Sequence, residues 1–156
     1  MKQELNLPSY EFRFKKEDGQ DRIFDEVRKK YVALTPEEWV RQNIVRFMIV
    51  EKSVPAGLII LEKQLVMNTM TRRPDVLIHD KYGKPVMIIE CKAPDIKIAQ
   101  NTFDQIARYN SVVRVPYLMV TNGLKHYCCM MDYENNNYIF LKDIPSYDEM
   151  ILDTGS

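Results

Sequence analysis

PVMIIECKAPD occupies residues 85–95. Its apolar run leads into Glu90-Cys91-Lys92, and Pro94 stops it. A short apolar run bounded in this way reads as a buried strand. Side chains alternate along a strand, so Val86, Ile88, Glu90 and Lys92 share one face, and Met87, Ile89 and Cys91 share the other. A carboxylate and an ammonium therefore point the same way, at the end of a strand whose beginning is core.

The segment before it, RRPDVLIHD (72–80), reads as a second strand, with KYGK around Gly83 as the turn. Asp75 lies on a face with Leu77, and fourteen residues separate it from Glu90. A hairpin of that length brings Asp75 next to Glu90 on neighbouring strands, although the sequence leaves the register open. Two carboxylates meeting at a sheet edge repel each other unless a cation or a proton lies between them. Oxygen donors of this kind suit Mg²⁺ or Mn²⁺, which accept substrate phosphate oxygens as further ligands. A lysine beside them orients or deprotonates an attacking water and offsets charge on a phosphate. The chemistry that needs these three groups together is phosphodiester hydrolysis.

Working outward, TPEEWVRQNIVRFMIVE (35–51) is the clearest helix. Thr35 is its N-cap, Pro36 takes the first helical position, and Glu38 is expected to complete a capping box. Trp39, Val40, Ile44, Phe47 and Met48 make its apolar face. LIILEKQLVM (58–67) reads as one strand. IAQNTFDQIARYNSVV (98–113) returns to helical period, with its stripe through Phe103, Ile106, Tyr109 and Val113. PYLMVTNG (116–123) is a strand closing on an Asn-Gly turn, and HYCCMMDY and NYIFLKDI are two more around a polar turn. Residues 22–32 are read as a short strand or helical turn. The order is α-β-β-β-α-β plus a terminal strand pair. It predicts an α/β fold, a mixed central β-sheet flanked by helices, in a single domain over 1–156 with its core at about 30–145.

Composition narrows the class. Of the 156 residues, 46% are hydrophobic and 28% charged, ordinary values for a globular domain. Lys plus Arg equal Asp plus Glu at 22 each, which counts against binding nucleic acid by bulk charge alone. Cys91, Cys128 and Cys129 form no CxxC pair, so a disulfide framework or zinc site is not expected, and a reducing cytoplasm fits. No signal peptide, membrane span or small-molecule cofactor is expected.

Together, TPEEWVRQ, RRPDVLI, IIECKAP, FDQIARYN and the TNG turn resemble the N-terminal endonuclease domain of type I restriction enzyme R subunits. Within them PD-x14-ECK resembles the PD-(D/E)xK nuclease motif, and Gln105-x-x-x-Tyr109 resembles the QxxxY motif of its RecB-like branch. The resemblance implies a restriction-endonuclease-like core and Mg²⁺-dependent DNA cleavage, with Mn²⁺ able to substitute. It assigns Asp75 and Glu90 as metal ligands, the Cys91 backbone carbonyl as a further one, and Lys92 as the catalytic lysine. Gln105 and Tyr109 would contact DNA or the lysine. Such families often add a carboxylate from the first helix, for which Glu37 and Glu38 are candidates; Glu62 is another. Arg73, with Arg72, is a candidate phosphate contact. The chain carries no GxxxxGK[ST] P-loop, so the helicase motor is not expected within it, and a separate motor or specificity subunit is the implied partner besides DNA. The alternative reading is a catalytically silent nuclease-fold module that docks on such a partner.

Simpler roles account for other residues. A capping box alone explains Glu38. His79 and His126 lack ligand spacing and are expected to be structural. Cys128 and Cys129 alternate faces on a strand, so one of the two is expected to be buried.

Overall fold

The computed structural model describes residues 2–62, 65–67, 70–72, 74–110 and 114–152, with backbone alone at 65–67, 70–72 and 109–110. Three strands open the chain: β1 (Phe14–Glu17), β2 (Gln20–Asp25) and β3 (Lys30–Ala33), an antiparallel sheet in that order. The β1–β2 turn is Asp18-Gly19, both at positive φ, the conformation that a two-residue type I′ hairpin demands. After β3 comes helix α1 (Pro36–Glu51). As expected, Thr35 Oγ1 accepts the Glu38 amide. The reciprocal half of the capping box is not what occupies Glu38, whose carboxylate is taken by Arg41, Arg28 and Gln42 instead.

A 3₁₀ turn (Ala56–Leu58) leads to β4 (Ile59–Leu61). The single strand expected over 58–67 breaks at Glu62, which has φ 56°. Beyond it β5 (Leu65–Met67) folds back on β6 (Met70–Arg72) as a separate two-stranded ribbon. Then follow β7 (Val76–His79), β8 (Pro85–Cys91), helix α2 (Gln100–Asn110), β9 (Tyr117–Thr121), β10 (His126–Asp132), β11 (Asn137–Phe140) and a short helix α3 (Tyr147–Leu152) that the sequence reading did not include.

The central sheet has six strands in the order β11-β10-β9-β8-β7-β4. Its neighbours pair antiparallel except β8 and β9, which are parallel with α2 as the crossover. This is the mixed, helix-flanked α/β architecture read from the sequence. One face packs on α1 and α3: Val40, Ile44 and Met48 meet Val76, Ile78, Met87, Ile89 and Cys91, and Tyr147 and Met150 join them. The other face packs on α2: Phe103, Ile106 and Ala107 cover Leu77, Ile88, Leu118 and Val120. A sheet covered on both faces explains why β8 reads as a continuous apolar run. It also corrects the expectation for the adjacent cysteines. Cys128 belongs to the α1 face and Cys129 to the α2 face, and both are buried.

The N-terminal sheet is tied to α1 in two ways. Ile23, Leu34 and Trp39 form a small apolar cluster. Beside it lies a buried polar network. Asp25, 1% exposed, accepts from the Arg28 and Gln42 side chains. Arg28 also reaches Glu38 and Glu62, and Arg41 bridges Glu38 and Glu62 in turn. Ion pairs of this kind repay the cost of burial only when each member is also hydrogen-bonded, and these carboxylates are.

Candidate functional site

The carboxyl-terminal end of β8 is where polar chemistry meets the core. β7 pairs with β8 in the register Val76↔Ile89 and Leu77↔Ile88, so one residue further Asp75 falls across from Glu90. The register that the sequence left open is therefore the one that brings the two carboxylates together. Asp75 is half-buried, and its Oδ2 accepts the Cys91 amide at 2.7 Å. That charge-assisted bond fixes the carboxylate against the end of the neighbouring strand. Glu90 is 8% exposed. Lys92 continues the extended path past β8, its amide donating to Thr121 O at 2.8 Å, which leaves the ammonium half-buried at the sheet end.

α1 contributes the third acidic group. Glu37, in its exposed first turn, lies close enough to Asp75, Lys92, Arg41 and Glu38 to feel their charges. Desolvation, and then the Asp75 carboxylate, push the Glu37 carboxyl above its ordinary value, against the opposing pull of Lys92 and Arg41. Cys91 reports the same neighbourhood from inside: burial first, then Asp75, raise its thiol well above the ordinary range, with Glu90 and Glu37 adding to the rise.

Of the other candidates, Glu38 and Glu62 are held by Arg28 and Arg41 in the polar network. Glu62 still touches the site through its backbone, its amide donating to Asp75 O at 3.2 Å. Gln105 is exposed on α2, and among the described residues no hydrogen bond joins it to Asp75, Glu90 or Lys92. Tyr109 follows one turn later on α2, its side chain outside the described residues, as is Arg73; Arg72 ends β6, its side chain likewise outside. His79 Nδ1 faces Leu58 O, and His126 bridges Thr121 Oγ1 and Asn6 O, structural roles as expected.

The sequence signal that separates Glu37 from Glu38 is helical phase. Glu38 shares a face with Arg41 and Gln42, three and four residues on, which accept it into the network. Glu37, one residue earlier, is turned off that face.

Among the described residues, no three His, Cys, Asp or Glu side chains form a ready-made metal cage. Asp75 and Glu90, which the register sets opposite each other, offer hard oxygens. Such a pair suits Mg²⁺, which keeps waters and takes one or two carboxylates together with substrate phosphate.

A family model described as type I restriction enzyme R protein N terminus matches residues 36–145. Among solved structures, the chain is similar to a fragment described as the HsdR subunit of a type I restriction enzyme from Vibrio vulnificus YJ016. The TM-score is 0.53 at 18% sequence identity, covering 78% of this chain and 25% of that one. The likeness is one of fold, and the matched part amounts to about a quarter of that chain's length. No curated protein matches the sequence.

Proposed function

Because the chain belongs to the family of type I restriction enzyme R protein N termini, we propose that it is a Mg²⁺-dependent DNA nuclease module that hydrolyses phosphodiester bonds. The observation that carries this reading is the placement of Asp75 across from Glu90, with one Asp75 oxygen pinned to the Cys91 amide and Lys92 next along the chain. Three charged groups converge where a purely structural strand end needs none.

Asp75 and Glu90 would hold the cation, with the Cys91 carbonyl as a further donor and Glu37, in place of Glu38 or Glu62, as the carboxylate from the first helix. A bound Mg²⁺ supplies Lewis-acid stabilisation of the charge that develops on the phosphate. The chain's own part is positional and electrostatic. The Cys91 amide keeps Asp75 from rotating away. The Lys92 ammonium would orient the attacking water and offset the charge on the phosphate. Gln105, Tyr109 and Arg73 would align the substrate backbone. Desolvation raises the Glu37 carboxyl first and the Asp75 carboxylate second; a bound cation would offset the second, so the titration of Glu37 would shift when the site is occupied.

Incubation of the protein with supercoiled plasmid and Mg²⁺ or Mn²⁺ tests the reading, beside Lys92→Ala and an EDTA control. Nicking that needs the metal and vanishes in the variant is the expected result. Equal nicking by Lys92→Ala would sink the assignment.

A second reading, a module that cuts only when docked on a motor or specificity subunit, is favoured by two observations. The chain is formally neutral, and it matches a quarter of the length of the similar solved chain. Metal binding by calorimetry without nicking would select it. Absence of both would leave a silent scaffold.

A further inference from the structure

The N-terminal sheet lies outside the residues matched by the family model, which begin at 36. Its inner face is accounted for by Ile23 and Asp25, buried against α1. Its outer face is not. Register places Lys15 across from Arg22, and Phe24 across from Tyr31, on that outer side. The Phe24 and Tyr31 ring centroids stand 5.2 Å apart. The Arg13 guanidinium lies 3.9 Å from the Phe24 centroid, and the Lys15 ammonium 4.4 Å from that of Tyr31. Arg22 Nε is buried and has no hydrogen-bond partner among the described residues, a donor that a folded chain seldom leaves without use.

This row runs into a cleft of about 460 Å³ where Arg22, Lys30 and Tyr31 lie beside Arg28 and Arg41, the latter two paired with Glu38 and Glu62, and beside Glu37. Glu37 and Glu62 line this cleft, and both adjoin the candidate site: Glu37 feels the charges of Asp75 and Lys92, and the Glu62 amide donates to Asp75 O, so the cleft ends beside the site. Across residues 13–33 Lys and Arg outnumber Asp and Glu, although the whole chain is neutral. The acidic partners on this surface, Glu17 for Lys15 and Glu26 for Arg13, form exposed pairs, which contribute little and yield readily to a phosphate. Cations interleaved with aromatic rings on an exposed sheet are the arrangement that follows a nucleic-acid backbone and packs its bases.

We propose that the outer face of the β1–β2–β3 sheet, through Lys15, Arg22 and Tyr31, binds the DNA strand flanking the cleavage position and leads it along the cleft to the candidate site. This rests on the nuclease reading above. The surface supplies locally the positive charge that the chain lacks in bulk.

The test measures binding of a labelled DNA oligonucleotide by fluorescence anisotropy, in EDTA so that no cutting occurs, over a range of NaCl concentrations. Wild type is compared with Lys15→Ala/Arg22→Ala. The double variant is expected to bind at least about tenfold more weakly at low salt, and the slope of log K against log salt is expected to fall by about two, one for each lost phosphate contact. Because the double variant can also suffer in folding, a photoreactive phenylalanine is placed at position 31 of the otherwise unchanged chain, where ultraviolet light is expected to crosslink it to the oligonucleotide. Unchanged affinity and slope together with no crosslink would overturn the proposal. So would poly-glutamate competing as well as unlabelled DNA, which would assign the face to an acidic protein. If wild type nicks plasmid while the variant binds as wild type does and no crosslink forms, this proposal alone falls. If wild type neither binds nor nicks, the nuclease reading falls with it.

Discussion

Asp75 and Cys91 are joined across the β7–β8 pair: the Cys91 amide, at the last position of β8, donates to Asp75 Oδ2 at 2.7 Å. The bond has a structural half and a functional half, and two substitutions separate them. Asp75→Asn keeps an oxygen acceptor for the amide and removes the negative charge. Asp75→Ala removes both. Chemical denaturation should find the alanine variant less stable by about 1–3 kcal/mol, the cost of orphaning a buried donor, and the asparagine variant close to wild type. Plasmid nicking should be lost in both.

Glu37 titrates in a site that disfavours its charge. A carboxyl whose folded pKa lies above its unfolded value contributes stability that is fully present below the unfolded pKa, here 4.5, and is lost as pH rises through the folded value. Glu37→Gln should therefore be more stable than wild type at neutral pH, and the two should converge as pH falls below about 4.5. Added Mg²⁺ should reverse the order by stabilising wild type more. Thermal melts at several pH values, with and without Mg²⁺, check both statements.

Arg41 is the hub of the buried network, bridging Glu38 and Glu62. Arg41→Ala leaves Glu38, 8% exposed, with its main counter-charge gone, and should cost about 3–5 kcal/mol in urea unfolding. Asp25, at the other end, shows the opposite pH dependence to Glu37. Burial alone would raise its carboxyl, but the Arg28 amide and guanidinium and the Gln42 amide outweigh burial and hold it below its ordinary 3.8. Its contribution is present above 3.8 and is lost as pH falls through the depressed folded value. Asp25→Asn should accordingly be least stable relative to wild type at neutral pH, with the gap closing in acid.

The three cysteines are reporters of unfolding. Cys128 and Cys129 are buried, and burial pushes both thiols up to about 12; Cys91 is raised too. Thiolate is the reactive form. A thiol reagent at pH 8 should label none of the three on the timescale of a free thiol, and all three once urea unfolds the chain. Rapid labelling of a single cysteine in the native state would contradict the packing described.

Where sequence was informative, one physical signal dominated. The apolar periods of α1 and α2, and the unbroken apolar run of β8, survive because each element buries its whole pattern against another. The Asp75–Glu90 pairing was legible up to its register, which turn geometry and core burial fix only in three dimensions. The N-terminal sheet was mostly missed although Asp18-Gly19 announced its first turn. Its strands are short and largely exposed, so alternation is faint, and charged residues sit even on the inner side, as Asp25 does. The break at Glu62 carries no glycine or proline. A left-handed residue there is imposed by Arg28 and Arg41 on one side and Asp75 O on the other, contacts that no local window contains. Glu38 looked like half of a capping box for the same reason: its guanidinium partners are invisible until the network forms.

The parallel joint between β8 and β9 bears on how the molecule assembles in time. β7 with β8, and β9 with β10 and β11, are meanders that close over short loops, and such local pairings form fast. Only when α2 lays down its apolar stripe can the two meanders be sewn edge to edge, and that is when Thr121 O receives the Lys92 amide. The carboxylate pair thus belongs to an early hairpin, and the lysine is set by a late closure. Thinning the stripe, as in Phe103→Leu, should slow refolding while leaving the unfolding rate nearly unchanged, as stopped-flow chevrons would show. A chain caught before closure would carry its two acids and lack the placed cation beside them.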